Sequence, residues 1–129
     1  MRQLKLQNLW LLIGWLLLAA IVYLSLAPAP PEPDFEINDK VLHFAMYFVL
    51  TAWFAQIFLP GKRLVIYALS FFALGVVLEF GQGLSDERST SLLDALANGT
   101  GIVAGLLLAL TPLALTLECF ERIALGQNS

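Results

Sequence analysis

The sequence predicts an all-α integral membrane bundle of four transmembrane helices with both termini cytoplasmic, and three observations carry that expectation. Of 129 residues, 59% are hydrophobic and only 13% charged, with a mean hydropathy of +0.79; a soluble globular domain carries roughly 25% charged residues. The apolar residues fall into four runs, each long enough to cross a hydrocarbon layer of about 30 Å at about 1.5 Å per residue. Finally, Arg2, Lys5, Lys62, Arg63 and Arg122 share one side of those runs, whereas Lys40 and Arg88 lie on the other among acidic residues. Short loops rich in lysine and arginine stay cytoplasmic. At this length a single domain, 1–129, is expected.

The first helix, about 8–27, follows Arg2 and Lys5. Its apolar run is longer than the roughly 7–15 residues of a signal-peptide core, which favours a retained span over a cleaved leader. Pro28, Pro30, Pro31 and Pro33 end it and open an extended spacer, because proline lacks an amide proton and biases its predecessor away from helix. The second helix, about 41–59, is closed by Pro60-Gly61, a tight hairpin with Lys62-Arg63 at its tip. The third, about 63–81, runs into Gly81-Gln82-Gly83 and a polar loop reaching Ser91; the fourth, about 92–117, leaves a short amphipathic tail with Glu118, Glu121 and Arg122. A single cysteine, Cys119, excludes an intramolecular disulfide and reads as a small apolar packer near a helix end.

Polar residues concentrate at one end of this arrangement. On the second helix Lys40, His43 and Tyr47 fall at i, i+3 and i+7, with Asp39 beside them. Glu79 and Gln82 share a face at the end of the third helix. Asp94, Asn98, Gly101 and Gly105 run down one stripe of the fourth, polar above and glycine below. Gly101 and Gly105 make a GxxxG groove that lets another helix approach closely, within the chain or from a second one. Ionisable groups inside membrane helices face the bundle interior, pair with one another or mark a functional path. The candidate site is therefore Glu79, His43 and Asp94 as catalytic groups, with Asp39, Lys40, Tyr47, Gln82, Arg88 and Asn98 as binding groups.

These residues resemble a known family. Asp39-Lys40-x-x-His43-Phe44-x-x-Tyr47, then Glu79-x-x-Gln82, then Arg88 followed by Asp94-x-x-x-Asn98-x-x-Gly101-x-x-x-Gly105, are similar in order and spacing to the signature blocks of the VanZ-like membrane proteins. The likeness covers the second to fourth helices. A glycine often precedes the family's arginine; here Glu87 does. The resemblance implies a multi-pass protein of the bacterial inner membrane with a link to glycopeptide (teicoplanin) resistance. It implies no particular reaction, since the family's activity is not established.

Three functions fit a polar site facing the extracytoplasmic side. In an enzyme acting on a lipid-linked or peptidoglycan-related envelope component, His43 or Glu79 would be acid and base, and Lys40 and Arg88 would hold a phosphate or carboxylate. An accessory protein would bind such a ligand through the same charges without chemistry. A structural protein would use the network only to lock the helices. His43, Glu79 and Asp94 are a possible ligand set for a divalent ion, but with no HExxH and with two cations nearby the sequence assigns no metal and identifies no cofactor. The lipid bilayer is the expected partner; nucleic acid is excluded, because the outward side is acidic and the inward bases are those topology requires. Oligomeric state is left open.

Overall fold

Apolar runs without the alternation of a half-buried strand become helices throughout. The computed structural model describes residues 1–28, 36–84 and 91–126, and among these it holds five α-helices, one 3-10 turn and no strand. The helices are α1 (Gln7–Leu26), α2 (Glu36–Ile57), α3 (Lys62–Gln82), α4 (Leu92–Leu108) and α5 (Thr116–Ala124), with the 3-10 turn at Pro112–Leu115 between the last two. Three of them are long and apolar enough to cross a membrane, or four spans result if the bent pair from Leu92 to Ala124 is counted as one. Their outer surfaces are apolar as well: Leu12, Leu16, Leu69, Val77 and Leu96 are all exposed, where a soluble monomer rarely shows large contiguous apolar patches.

Two boundaries differ from the sequence expectation. Helix α2 begins at Glu36, so Asp39 and Lys40 stand on the helix rather than ahead of it. An acid in an opening turn complements the macrodipole, which allows the helix to begin in polar sequence. The expected fourth helix, about 92–117, is broken: α4 ends at Leu108 and the chain turns by 76° into the following segment. Pro112 is the cause, since it offers no amide to the Leu108 carbonyl and its ring would clash there. The residues before it tighten instead, with the amides of Ala109, Leu110 and Thr111 bonding the carbonyls of Leu106, Leu107 and Leu108. The hairpin at Pro60-Gly61 forms as expected. Gly61 takes φ 153°, a conformation that only glycine adopts readily.

Helix α2 is the centre of the bundle, and Leu50, Phe54 and Ile57 on it are fully buried. Helix α4 lies along it in the same direction, as the paired contacts show: Gly101 meets the Phe44 carbonyl and the Phe48 amide, and Gly105 meets Thr51 and Ala52. A Cβ at Gly101 would sit 2.3 Å from the Phe44 oxygen. The GxxxG groove therefore joins two helices of this chain, backbone to backbone. Helix α1 packs through Gly14 against Trp53 and Phe54, and an edge-to-face set of Trp10, Trp15, Trp53, Phe54, Tyr67 and Phe71 fills the space between α1, α2 and α3.

The two ends of the bundle differ. At one end the Arg2 amide bonds the Ile57 carbonyl (2.9 Å), and Gln56 Oε1 accepts from the Leu117 amide (3.1 Å). That end gathers the N-terminal segment, the α2–α3 turn and α5. Cys119 is exposed there, a correction to the packing role expected of it, with its sulfur accepting from Arg122 Nη2 at 3.3 Å. The other end gathers the end of α1 with the polar ends of α2, α3 and α4.

Candidate functional site

The site is built around one imidazole. His43 stands on the face of α2 turned to α3 and α4 and is buried. Its Nδ1 lies 3.0 Å from Asn98 Oδ1 on α4 and 3.6 Å from Glu79 Oε1 on α3. Asn98 Oδ1 can only accept, so Nδ1 carries the proton and Nε2 is the basic nitrogen of the neutral ring. Nε2 faces the start of α2, 3.8 Å from Asp39 Oδ1 one turn earlier. One ring nitrogen is thus fixed by the interior, and the other is presented at the mouth.

Asn98, 1% exposed, owes this position to the glycines one and two turns below it, which bring α4 onto α2. Gly75 gives the third helix the same access. A Cβ there would fall 2.9 Å from the Tyr47 hydroxyl and 3.1 Å from Asn98 Nδ2, so α3 seats both side chains against its bare backbone. Asp94 lies in the first turn of α4, where Ser91 caps the helix and its hydroxyl accepts from the Asp94 amide at 3.4 Å. An acid there complements the macrodipole. Its side chain is nevertheless 10% exposed, with Lys40 Nζ 3.9 Å from Oδ1.

Among the described residues the site is short of donors. Neither Glu79 Oε2 nor Asp94 Oδ1, both buried, has a hydrogen-bond partner among them; the Lys40 ammonium is too distant from Asp94 for one. Asp39, Glu79 and Asp94 bring three carboxylates to a region where Lys40 is the described cation.

Of the residues expected from sequence, Asp39, Lys40, His43, Glu79, Asp94 and Asn98 come together here. Tyr47 lies deeper, buried, with its hydroxyl against Gly75. Gln82 is drawn to α1, donating from Nε2 to the Ser25 carbonyl. Arg88 lies outside the described residues. Gly75 and Ser91 were not singled out by sequence; a glycine four residues before Glu79 on an otherwise bulky face was the available signal for the first.

A second polar knot sits at the opposite end. Glu121 of α5 is buried and accepts from the amides of Lys5 (2.6 Å) and Leu6 (2.8 Å) and from Trp10 Nε1 (2.6 Å). Burial raises this carboxyl's pKa, but the Leu6 amide, the Trp10 indole, the Lys5 amide and the Lys5 charge outweigh it and hold the group below its ordinary range. Two of these donors are the backbone amides just ahead of α1, so Glu121 ties the start of that helix to α5. An open cleft of about 420 Å³ between α1 and α3, lined by Leu11, Trp15, Arg63 and Tyr67 among others, is also at this end and contains none of the candidate site residues.

Over 96 residues the chain is 40% identical to an uncharacterized protein of the fission yeast Schizosaccharomyces pombe. The match covers 71% of this chain and 57% of that protein, so the chain spans little more than half of the relative's length. No family model and no solved structure matches the chain. The yeast relative corrects one expectation: a eukaryotic protein has no bacterial inner membrane to occupy, so that placement is withdrawn. What stands is a set of helices compatible with a membrane.

Proposed function

We propose that this is a small multi-pass membrane protein, with four spans if the bent segment counts as one and both termini on the cytoplasmic side. Its work is done at the polar end of α2, α3 and α4, on the opposite face of the membrane. There it binds or acts on a membrane-surface component with a polar, anionic or lipid-linked headgroup. The VanZ-like resemblance is part of this proposal; the convergence of its three blocks on His43 supports it, and the antibiotic-resistance link is not carried forward.

The single observation behind this reading is the placement of His43. With Nδ1 held by Asn98 and Glu79 and Nε2 turned to the mouth beside Asp39 and Lys40, the ring is set to exchange a proton with whatever enters. Glu79 is the nearest buried carboxylate to receive it. Complementation of a chromosomal deletion in the host organism tests the reading. Glu79→Gln and His43→Gln are expected to keep expression and thermal stability while losing the deletion-complementing activity. If Glu79→Gln works and only Glu79→Leu fails, Glu79 recognises rather than transfers a proton.

A structural lock is the second reading, favoured by the fact that the glycine contacts which build the site also hold α2 and α4 together. In that case Lys40→Met with Asp94→Leu should remain folded and fully functional, because removing both members of the pair leaves no buried carboxylate without its partner. Loss of function in the folded double variant would remove the lock.

A further inference from the structure

We propose that Asp39, His43 and Asp94 form a site for a divalent transition-metal ion, with Asn98 and Glu79 supporting the imidazole from behind. Sequence alone pointed to His43, Glu79 and Asp94 and assigned no metal; the helical start of α2 exchanges Glu79 for Asp39, at i, i+4 from His43. One ligand atom from each of the three residues lies within 4.8 Å of the others. Around a tetrahedral ion with bonds near 2.1 Å the ligand atoms stand about 3.4 Å apart, so small side-chain rotations close the set. Asp39, 53% exposed, has the freedom to make most of that adjustment.

Two further observations point to a cation. Asp94 Oδ1, one of the proposed ligand atoms, is buried with no hydrogen-bond partner among the described residues, on a side chain 10% exposed. An anionic oxygen removed from water and left without a donor is costly, and a bound cation is the chemistry that answers it. The other observation is that His43 donates its inner N–H to Asn98. Metal-ligating histidines almost always donate their second nitrogen in this way, which fixes the tautomer and turns the free nitrogen to the ion. Mixed imidazole and carboxylate ligands suit zinc, manganese or iron rather than the all-oxygen preference of calcium and magnesium. Lys40, 37% exposed, sits 3.9 Å from Asp94 as a displaceable cation and would swing outward when an ion binds.

This rests on the reading above only in taking the polar end to be a working site; an ion held by Nε2 would take the place of the proton exchange proposed for that nitrogen. The test uses the full chain, purified in detergent, stripped with EDTA and titrated with Co²⁺ while visible absorption and metal content are recorded. We expect one ion per chain and competition by Zn²⁺. Asp94→Asn, His43→Gln and Asp39→Asn should each lose the ion, and Asn98→Leu should weaken it about 10–100-fold. Lys40→Met should bind more tightly. Asp39 is exposed, so its variant keeps the bundle even where buried substitutions unfold it. Failure of the wild-type chain to take up Co²⁺, binding undiminished in Asp39→Asn, or weaker binding in Lys40→Met would each overturn the proposal. If the metal titration fails while Glu79→Gln still abolishes complementation, the site works without an ion and only this inference falls.

Discussion

Gly101→Ala tests the geometry on which the site depends. The added Cβ would fall 2.3 Å from the Phe44 carbonyl oxygen and 3.0 Å from the Phe48 amide nitrogen. Both are backbone atoms of α2, so neither can rotate away. To restore an ordinary contact, α4 must withdraw by roughly 1 Å, and inserting a methyl into a packed interior costs about 1–3 kcal/mol. The same withdrawal carries Asn98, one turn above, away from His43. A 3.0 Å hydrogen bond lengthened by that amount is lost, and a buried donor left unpaired adds about 1–3 kcal/mol. The expected total is about 2–6 kcal/mol, measured by SDS or thermal unfolding of the detergent-solubilised protein with helical circular dichroism as readout. Two glycines provide controls: at Gly99 the new atom meets only the edge of the Phe72 ring, at 3.3 and 3.7 Å, and at Gly81 it meets nothing within 4 Å. Neither alanine variant should lose more than about 0.5 kcal/mol, and alanine's better helix propensity can add up to about 1 kcal/mol. If Gly101→Ala unfolds together with Gly99→Ala, the backbone contact between α2 and α4 is not what sets the site.

Glu121→Gln should destabilise the protein by roughly 1–3 kcal/mol, the scale of hydrogen bonds to a charged acceptor, and should alter its acid limb. Because the folded carboxyl is held below its ordinary range, its contribution is complete above the unfolded value near 4.3 and is lost as pH falls through the folded value; thermal unfolding of wild type and variant should therefore converge in acid, and a gap that persists there would refute the assignment. Topology is checked in a Cys119→Ser background: Leu84→Cys should react with an impermeant thiol reagent from the non-cytosolic side and Lys62→Cys should not, and the reverse pattern would overturn the orientation.

Much of this fold is written locally. Pro28 and Pro60-Gly61 stop helices through the missing amide and a glycine-only backbone, and neither depends on distant partners. The stripes Lys40–His43–Tyr47 and Asp94–Asn98–Gly101–Gly105 follow from 3.6 residues per turn, so the faces that meet were legible before the structure. The break at Pro112 is hidden by length alone, because the apolar run from Leu92 to Leu117 passes straight through it. Pairing across helices was less legible still. Glu121 looks like one charge on an amphipathic tail, and its partners are two amides and an indole more than 110 residues away, groups that carry no sequence signature. Tyr47 and Gln82 share periodicity with the site, yet packing takes one inward to Gly75 and the other to α1.

The buried acids at opposite ends of the bundle indicate which end does more than hold it together. Glu121 is saturated: both of its oxygens accept backbone amides, one also takes the Trp10 indole, and the Lys5 charge stands by. Those bonds close α5 onto α1 and leave neither oxygen without a donor. At the polar end, Glu79 and Asp94 are as deeply buried, yet each keeps an oxygen with no hydrogen-bond donor among the described residues, beside an imidazole whose basic nitrogen faces outward. Each unmet acceptor costs about 1–3 kcal/mol or more in the folded state. A network that existed only to fasten helices would be more stable with those oxygens satisfied, or with the acids replaced by apolar side chains. Retaining them in this state favours a ligand that completes the set, which is why the metal titration and the Glu79→Gln complementation are directed at this end of the bundle.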